Sequence, residues 1–426
     1  MRLWLIPMIY VVASAVCGLA LPRIEQAYFA AYTLNLSVAS AQAYLSAAAS
    51  GMMALTGVVF AMAFVMVQFS AIAYSPRLVL WFGRDHVLFH SLGAFAATFI
   101  YALCTLAWVD RGGSGSVPLL SSLLVGILLL VSMFLFAVLV QRLTNLQISN
   151  VLQLIGDKGR DVIRDMFPEL ERKSAAGRTS QLGADARRLG PNTQLLTHSG
   201  RPQAIAKVDV DALARVAQVH GATIEMVSAV GDTLVEGSAV LRVYGARDRI
   251  PEKDLLRAIH LESERTFEQD PKYPIRLLVD IAIKALSPAI NDPTTAVQAI
   301  DQIEDLLRRL GQQDLQTGFV SDAGGELRLI VPVPSWEDYL ALAFDEIRQY
   351  GVTSIQVMRR LRSALIGLTE MVMPPGRVEA VRHYLKHLDL AVEGSPLDVQ
   401  DKSMALQEDR QGLGLSRKPT EHRGGT

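Results

Sequence analysis

Four apolar runs with no charge in their middles occupy the first third of the chain, and they restrict its fold more than any other feature. They cover residues 3–21, 51–73, 87–109 and 117–140. Roughly 20 apolar residues cross the hydrocarbon of a bilayer as a helix. A helix also satisfies its own backbone polar groups, which hydrocarbon requires. Residues 1–141 are therefore expected to form an α-helical membrane domain of four transmembrane helices, with the lipid bilayer as partner. A second reading exists for the first run. Arg2, the apolar stretch and the small residues at 13–20 resemble a signal peptide. Its length and the poor cleavage site Ser14-Ala15-Val16-Cys17 favour a span.

The basic residues give an orientation. Arg2, Arg77, Arg84 and Arg142 fall on one side, Arg23 and Arg111 on the other. This predicts a multi-pass protein with its N-terminus and its C-terminal domain cytoplasmic. Between the second and third runs, Leu78, Trp81 and Phe82 lie between Arg77 and Arg84 and suggest an amphipathic turn in the interface. In the second run Ala54, Gly57 and Ala61 are small residues at helical spacing, which lets helices approach closely. Gln68 and Ser70 are polar residues near its cytoplasmic end. Gly57, Ala61, Gln68 and Ser70 have two readings: helix packing with an interhelical hydrogen bond, and the wall of an ion or small-solute pathway. Packing is the simpler of the two.

The 426 residues suit two or three domains. Half the residues are hydrophobic and only 19% are charged. Lys and Arg number 41 against 42 Asp and Glu, so nothing implies a nucleic-acid partner. Cys17 and Cys104 both lie in apolar runs and read as core residues, not as a disulfide or metal site.

After the membrane domain comes a mixed, mostly helical α+β cytoplasmic domain. Residues 142–203 read as a stalk helix broken at Gly156, then a flexible linker from about 171. A small β module is expected over 204–250, with a helix capped by Asp209 or Asp211 and strands at 223–227 and 239–244. The run 228–245 resembles half of a biotinyl/lipoyl-type barrel-sandwich hybrid. No lysine lies between Lys207 and Lys253, so the attachment residue of a carrier is missing. Residues 251–393 read as mostly helical with a β-hairpin around Ala323-Gly324-Gly325. They open on a charged helix at 252–269 and include a Ser335/Asp338 capping box. His260/Glu264 and His383/His387 have i, i+4 spacing, but no third ligand joins the first pair, and Arg382 and Lys386 flank the second. No metal and no cofactor are expected. The polar tail 394–426 is expected to be disordered.

The stretch 275–311, IRLLVDIAIKALSPAINDPTTAVQAIDQIEDLLRRLG, is the most informative part of this half. Its first helix is apolar except for Arg276, Asp280 and Lys284, one polar stripe at i, i+4, i+8. Ser287 and Pro288 stop that helix. Asp292 and Pro293 start the next, as an acidic N-cap followed by proline at the first helical position. Asp280, Ser287, Pro288, Asp292 and Pro293 are thus a structural motif. The helix start at Asn291, Thr294 and Thr295, with Arg265, Arg276 and Lys284 alongside, is the candidate site for a small anionic ligand. The competing reading is structural: Asp280 pairs with Arg276 or Lys284, and Asn291 and Asp292 fix a turn.

Three groups of residues together resemble a bacterial membrane-protein family, domain of unknown function 2254 (DUF2254). They are Phe69 with Ser75-Pro76-Arg77; the Ala96–Tyr101 run AATFIY; and Arg265-Thr266, Asp270-Pro271, Leu278–Ala282 and the run from Ala285 to Ala296. The resemblance implies a bacterial inner-membrane protein with no assigned reaction. No nucleophile motif, phosphate loop or zinc-protease helix is present, so no catalytic residue is proposed and the chain is not expected to be an enzyme. Three functions stay open. The first is a homo-oligomer with a sensing or assembly domain and a pathway through its spans. The second is a membrane-anchored scaffold or sensor with no pathway. The least favoured is a metal-dependent enzyme on Asp270, Asp280, Asp292 and Asp301.

Overall fold

The computed structural model describes residues 4–28, 37–73, 86–111, 116–144, 148–173, 186, 189–315, 318–371 and 373–413. Contacts divide the chain into two units, 1–148 and 149–426.

The first unit has four helices long and apolar enough to cross a membrane. They are α1 (Leu5–Tyr28), α2 (Val38–Ala73), α3 (His86–Leu106) and α4 (Leu119–Thr144). Half of α3 is buried, against about a fifth of the others, so α3 is the axis on which the rest pack. Its small and hydroxyl residues explain this. Gly93 lets Tyr10 and Pro7 of α1 come within van der Waals contact. Thr98 shares a hydrogen bond of 3.1 Å with Ser132 of α4.

Helix α2 starts at Val38, not at Gly51 as its hydropathy suggests. The missed part, VASAQAYLSAAAS, is rich in Ala and Ser, weak in hydropathy but strong in helix propensity. Ala41, Leu45, Ala48 and Ala49 are buried there. At 36 residues α2 is about 54 Å long, well beyond a hydrocarbon core of roughly 30 Å. The amphipathic turn expected at 75–86 lies outside the described residues except for His86.

The second unit begins with α5 (Ile148–Lys173), which is unbroken. The sequence predicts an interruption at Gly156. Instead Gly156 and Gly159 let the helix approach closely: a β-carbon at Gly156 would overlap Gln302, and one at Gly159 would crowd Leu306 and Pro274. Arg160 ties the same face to Asp305 at 2.8 Å.

Two sheets follow. The first has the order β1-β5-β3-β8-β7, from β1 (Asn192–Thr197), β5 (Ala239–Tyr244), β3 (Thr223–Met226), β8 (Leu327–Ile330) and β7 (Phe319–Ser321). The second has β4 (Thr233–Leu234), β2 (Gln203–Val208) and β6 (Ile259–Glu262) in that order. Helix α6 (Val210–Val219) is capped by Asp209 and sends Leu213 and Ala217 into the core between them.

Three expectations are corrected here. β1 lies inside the stretch read as linker, and its Leu196 is buried in the β core. The expected helix 252–269 is only α7 (Glu252–Leu256); residues 259–262 become β6 because β2 offers a free edge, and tertiary pairing overrides helical composition. His260 and Glu264 therefore never share a helix face. The β7–β8 hairpin forms as expected. However, β8 pairs in parallel with β3, Ile224 opposite Leu329, so the hairpin belongs to the β module and not to the helical part.

The helical part comprises α8 (Lys272–Ala285), α9 (Pro293–Leu310), α10 (Trp336–Gly351), α11 (Ile355–Thr369), α12 (Pro375–Glu393) and α13 (Val399–Ala405). The capping box of α10, Ser335 with Asp338, is present. Helix α9 is fully amphipathic, with Ala296, Ile300, Ile303, Leu307 and Leu310 all buried. The tail is ordered further than its composition suggests. Asp398 caps α13, Asp409 is buried, and Gln356 Nε2 donates to the Gly412 carbonyl at 2.6 Å. Residues 414–426 lie outside the described residues.

Candidate functional site

The corner between α8 and α9 is built as the sequence suggests, and the geometry closes it. Ser287 Oγ donates to the Lys284 carbonyl at 2.7 Å and ends α8. Asn291 takes the left-handed conformation at φ 49°, which Asn tolerates better than most residues. Asp292 then accepts from the Thr295 backbone N–H at 3.1 Å and from Thr295 Oγ1 at 2.6 Å. One carboxylate thus occupies the helix N-terminus from within the chain. Thr295 is buried, while Asn291 and Thr294 are exposed.

The polar stripe of α8 has a partner that sequence reasoning missed. Arg276 Nε donates to Asp280 at 2.6 Å, and its two terminal nitrogens donate to the two Glu346 oxygens at 2.8 and 2.7 Å. Every face of the guanidinium fork is occupied by carboxylate. The bonds to Glu346, with those to Asp280, hold the Arg276 guanidinium protonated, and Arg276 keeps the Glu346 carboxyl below its ordinary range. Burial lowers the Lys284 ammonium. Arg265 lies elsewhere, near Asp270. The six residues expected to gather around an anion therefore do not form one cation-rich pocket: Arg276 faces α10 and Arg265 faces the start of α8.

The four carboxylates of the enzyme reading are separated in the same way. Asp280 serves Arg276, Asp292 caps α9, and Asp301 accepts from Arg360 at 2.6 Å. Among the described residues no group of three or more His, Cys, Asp or Glu is arranged to hold a metal ion.

Asp270 is different. It is 1% exposed and stands on the wall of a cavity of about 420 Å³. Its Oδ1 accepts from the Lys272 N–H at 3.0 Å, while Oδ2 is buried with no hydrogen-bond partner. Burial pushes the carboxyl above its usual range, against the pull of Lys272 and Arg265. Tyr339 Oη, also buried and without a hydrogen-bond partner, feels the Asp270 charge. The cavity is lined by Asp165 and Met166 of α5, by the segment around the N-cap of α6, by 268–272, and by Val331-Pro332-Val333-Pro334. Its lining residues include five acids, Asp165, Asp209, Asp211, Glu268 and Asp270, and two lysines, Lys207 and Lys272; of the acids, Asp209 caps α6 and Asp165 pairs with Arg164. The remaining wall is mostly Val, Ala, Met and Pro. The sequence carried one signal for this place, the Asp270-Pro271 pair, which reads there only as a helix stop.

Comparison with known proteins places the chain. Residues 1–366 match the family described as "Predicted membrane protein (DUF2254)". The chain belongs to the DUF2254 family. Uncharacterized proteins of Mycobacterium tuberculosis and Mycobacterium bovis are each 29% identical to this DUF2254 chain over 378 residues, covering 86% of it and 71% of the relative. No solved structure matches. Both the Asp270 cavity and the α8–α9 corner lie within the family match. In this DUF2254 member the four apolar helices are those of a membrane protein.

Proposed function

We propose that the protein is a membrane-anchored sensor whose C-terminal unit, on the cytoplasmic side, binds a small molecule beside Asp270. The observation that carries this reading is a fully buried carboxyl with an unpaired oxygen on the wall of a 420 Å³ cavity. Natural folds rarely leave such an atom without a partner, and the exceptions concentrate at functional places. The size is within the range of small-molecule sites. The excess of carboxylates favours a ligand with a cationic or hydrogen-bond-donating head, and the Val and Pro wall favours an apolar body.

The test uses the full chain purified in uncharged detergent. Thermal unfolding is followed with putrescine, spermidine, agmatine and phenethylamine as cationic probes, and with inorganic phosphate and acetate as anionic ones. A rise in Tm with an amine, absent in Asp270→Asn, supports the reading. Equal shifts in both proteins, or shifts with the anions alone, overturn it.

The second reading is a homo-oligomer with an ion or small-solute pathway along α2. One observation favours it: a β-carbon at Gly57 would meet no atom within 4 Å, and Ala54, Ala61 and Gln68 are exposed. A single copy leaves this small-residue face uncovered. Ion flux in liposomes that disappears when Gly57 is replaced by Leu supports the pathway; no flux leaves the sensor reading.

A further inference from the structure

One end of the four-helix unit brings two arginines onto a single tryptophan. Trp108, just past the end of α3, is buried to 7% exposure. The Arg111 guanidinium carbon lies 4.1 Å from its ring centroid, and that of Arg23, near the end of α1, lies 5.4 Å away. Two like charges are thus held on one indole. Among the described residues neither arginine makes an ion pair with a carboxylate. The nearest acidic residue on α1, Glu25, is occupied. It accepts from the Leu120 and Ser121 N–H groups at 2.6 and 3.0 Å and from Ser121 Oγ at 2.9 Å, capping α4. The helix dipole and the hydroxyl answer its charge, and the guanidiniums do not.

The surroundings identify what answers the arginines. They sit where apolar helices end, which is where interfacial tryptophans and headgroups are expected to meet a membrane protein. Ile24 and Leu21 on α1, with Leu120 and Leu123 on α4, are exposed apolar side chains of that same end. A guanidinium held over an indole keeps N–H groups that can bind an oxyanion in a bidentate manner. We infer that Arg23 and Arg111, seated on Trp108, bind the phosphate of a membrane glycerophospholipid, whose acyl chains lie along α1 and α4. The site is separate from the Asp270 cavity and does not rest on the sensor reading.

The experiment compares lipids on the purified full chain in uncharged maltoside. The probes are dioleoyl phosphatidylglycerol, dioleoyl phosphatidylcholine, a phosphate-free monogalactosyl diacylglycerol, and inorganic phosphate. Retention is read by native mass spectrometry and Tm by thermal unfolding. Both phospholipids are expected to bind and raise Tm, with the anionic one stronger and weakened by salt. The Arg23→Gln/Arg111→Gln double variant is expected to retain phosphatidylglycerol roughly ten-fold less well. Arg111→Gln alone, at an exposed position outside the helices, gives a smaller loss. Galactolipid stabilising as well as phosphatidylglycerol overturns the assignment, as does undiminished retention by Arg111→Gln and the double variant. Inorganic phosphate matching the phospholipids overturns the lipid as source.

Discussion

Gly231 lies flush against the carboxyl of Asp270. The turn between β3 and β4 holds Gly231 at φ 88°, and a β-carbon there would overlap Asp270 Oδ2. Gly231→Ala therefore meets two penalties. The left-handed backbone costs roughly 1–2 kcal/mol, and the buried carboxyl must shift in addition. Thermal unfolding should show a Tm loss larger than the backbone alone gives. Adding Asp270→Ala should recover the excess and leave the backbone part. Strict additivity of the two substitutions would show that the contact has no energetic weight.

Asp270 also predicts a pH dependence. Burial raises its carboxyl above the value it has in the unfolded chain. The folded state therefore holds the proton more tightly, and this group's effect on stability becomes less favourable as pH rises from the ordinary carboxylate range through the raised pKa. Below the unfolded value the penalty is absent. Tm measured between pH 4 and 8 should show this falling contribution in the wild type, and Asp270→Asn should remove it. A difference between the two proteins that is independent of pH would contradict the assignment.

Arg276 links α8 to α10 through a fork that lysine cannot reproduce. Arg276→Ala leaves Asp280 and Glu346 facing each other without a cation and should cost about 2 kcal/mol. Arg276→Lys should recover less than half. Glu346 is held below its ordinary range, so this pair stabilises above the unfolded carboxylate value and is lost as pH falls through the folded one. Urea titrations at pH 7 and pH 4 on both variants check the size and the sign.

Glu25 fastens the end of α1 to the start of α4 with three accepted hydrogen bonds. Glu25→Ala should lower stability in detergent by about 1–2 kcal/mol, the range of a lost helix cap. Glu25→Gln, which keeps one acceptor oxygen, should fall between. Equal Tm values for all three proteins would mean the cap adds nothing.

The α8–α9 corner is expected to be purely structural. Asp292→Ala should cost about 1 kcal/mol, and inorganic phosphate should not restore it. Phosphate that stabilises the wild type through Thr294, Thr295 and Lys284 would revive the anion site.

The membrane helices were legible because hydrocarbon imposes a simple rule on composition. The start of α2 was not, since Ala and Ser between 38 and 50 owe their place to packing. Caps at Asp209, Asp292 and Ser335 were legible because a cap is local chemistry within a few residues. Glu346 was hidden because its partner Arg276 stands 70 positions away. Gly156 and Gly159 looked like interruptions because close approach and helix breaking use the same residue. β6 looked helical because charged residues at 252–269 suit an exposed helix, and only the edge of β2 decides otherwise. Of the candidate site, the Asp270-Pro271 pair was visible, but the cavity beside it is walled by segments as distant as 165 and 334.

The parallel register of β3 with β8 joins Ile224 to Leu329, more than a hundred positions apart. During synthesis the early strands therefore wait, with one edge of β3 bare, until the hairpin has left the ribosome. A chain truncated between 245 and 326 would carry that bare edge while its first helices already sit in the bilayer, crowding unfinished copies in one plane. Such fragments should pair with one another by edge addition.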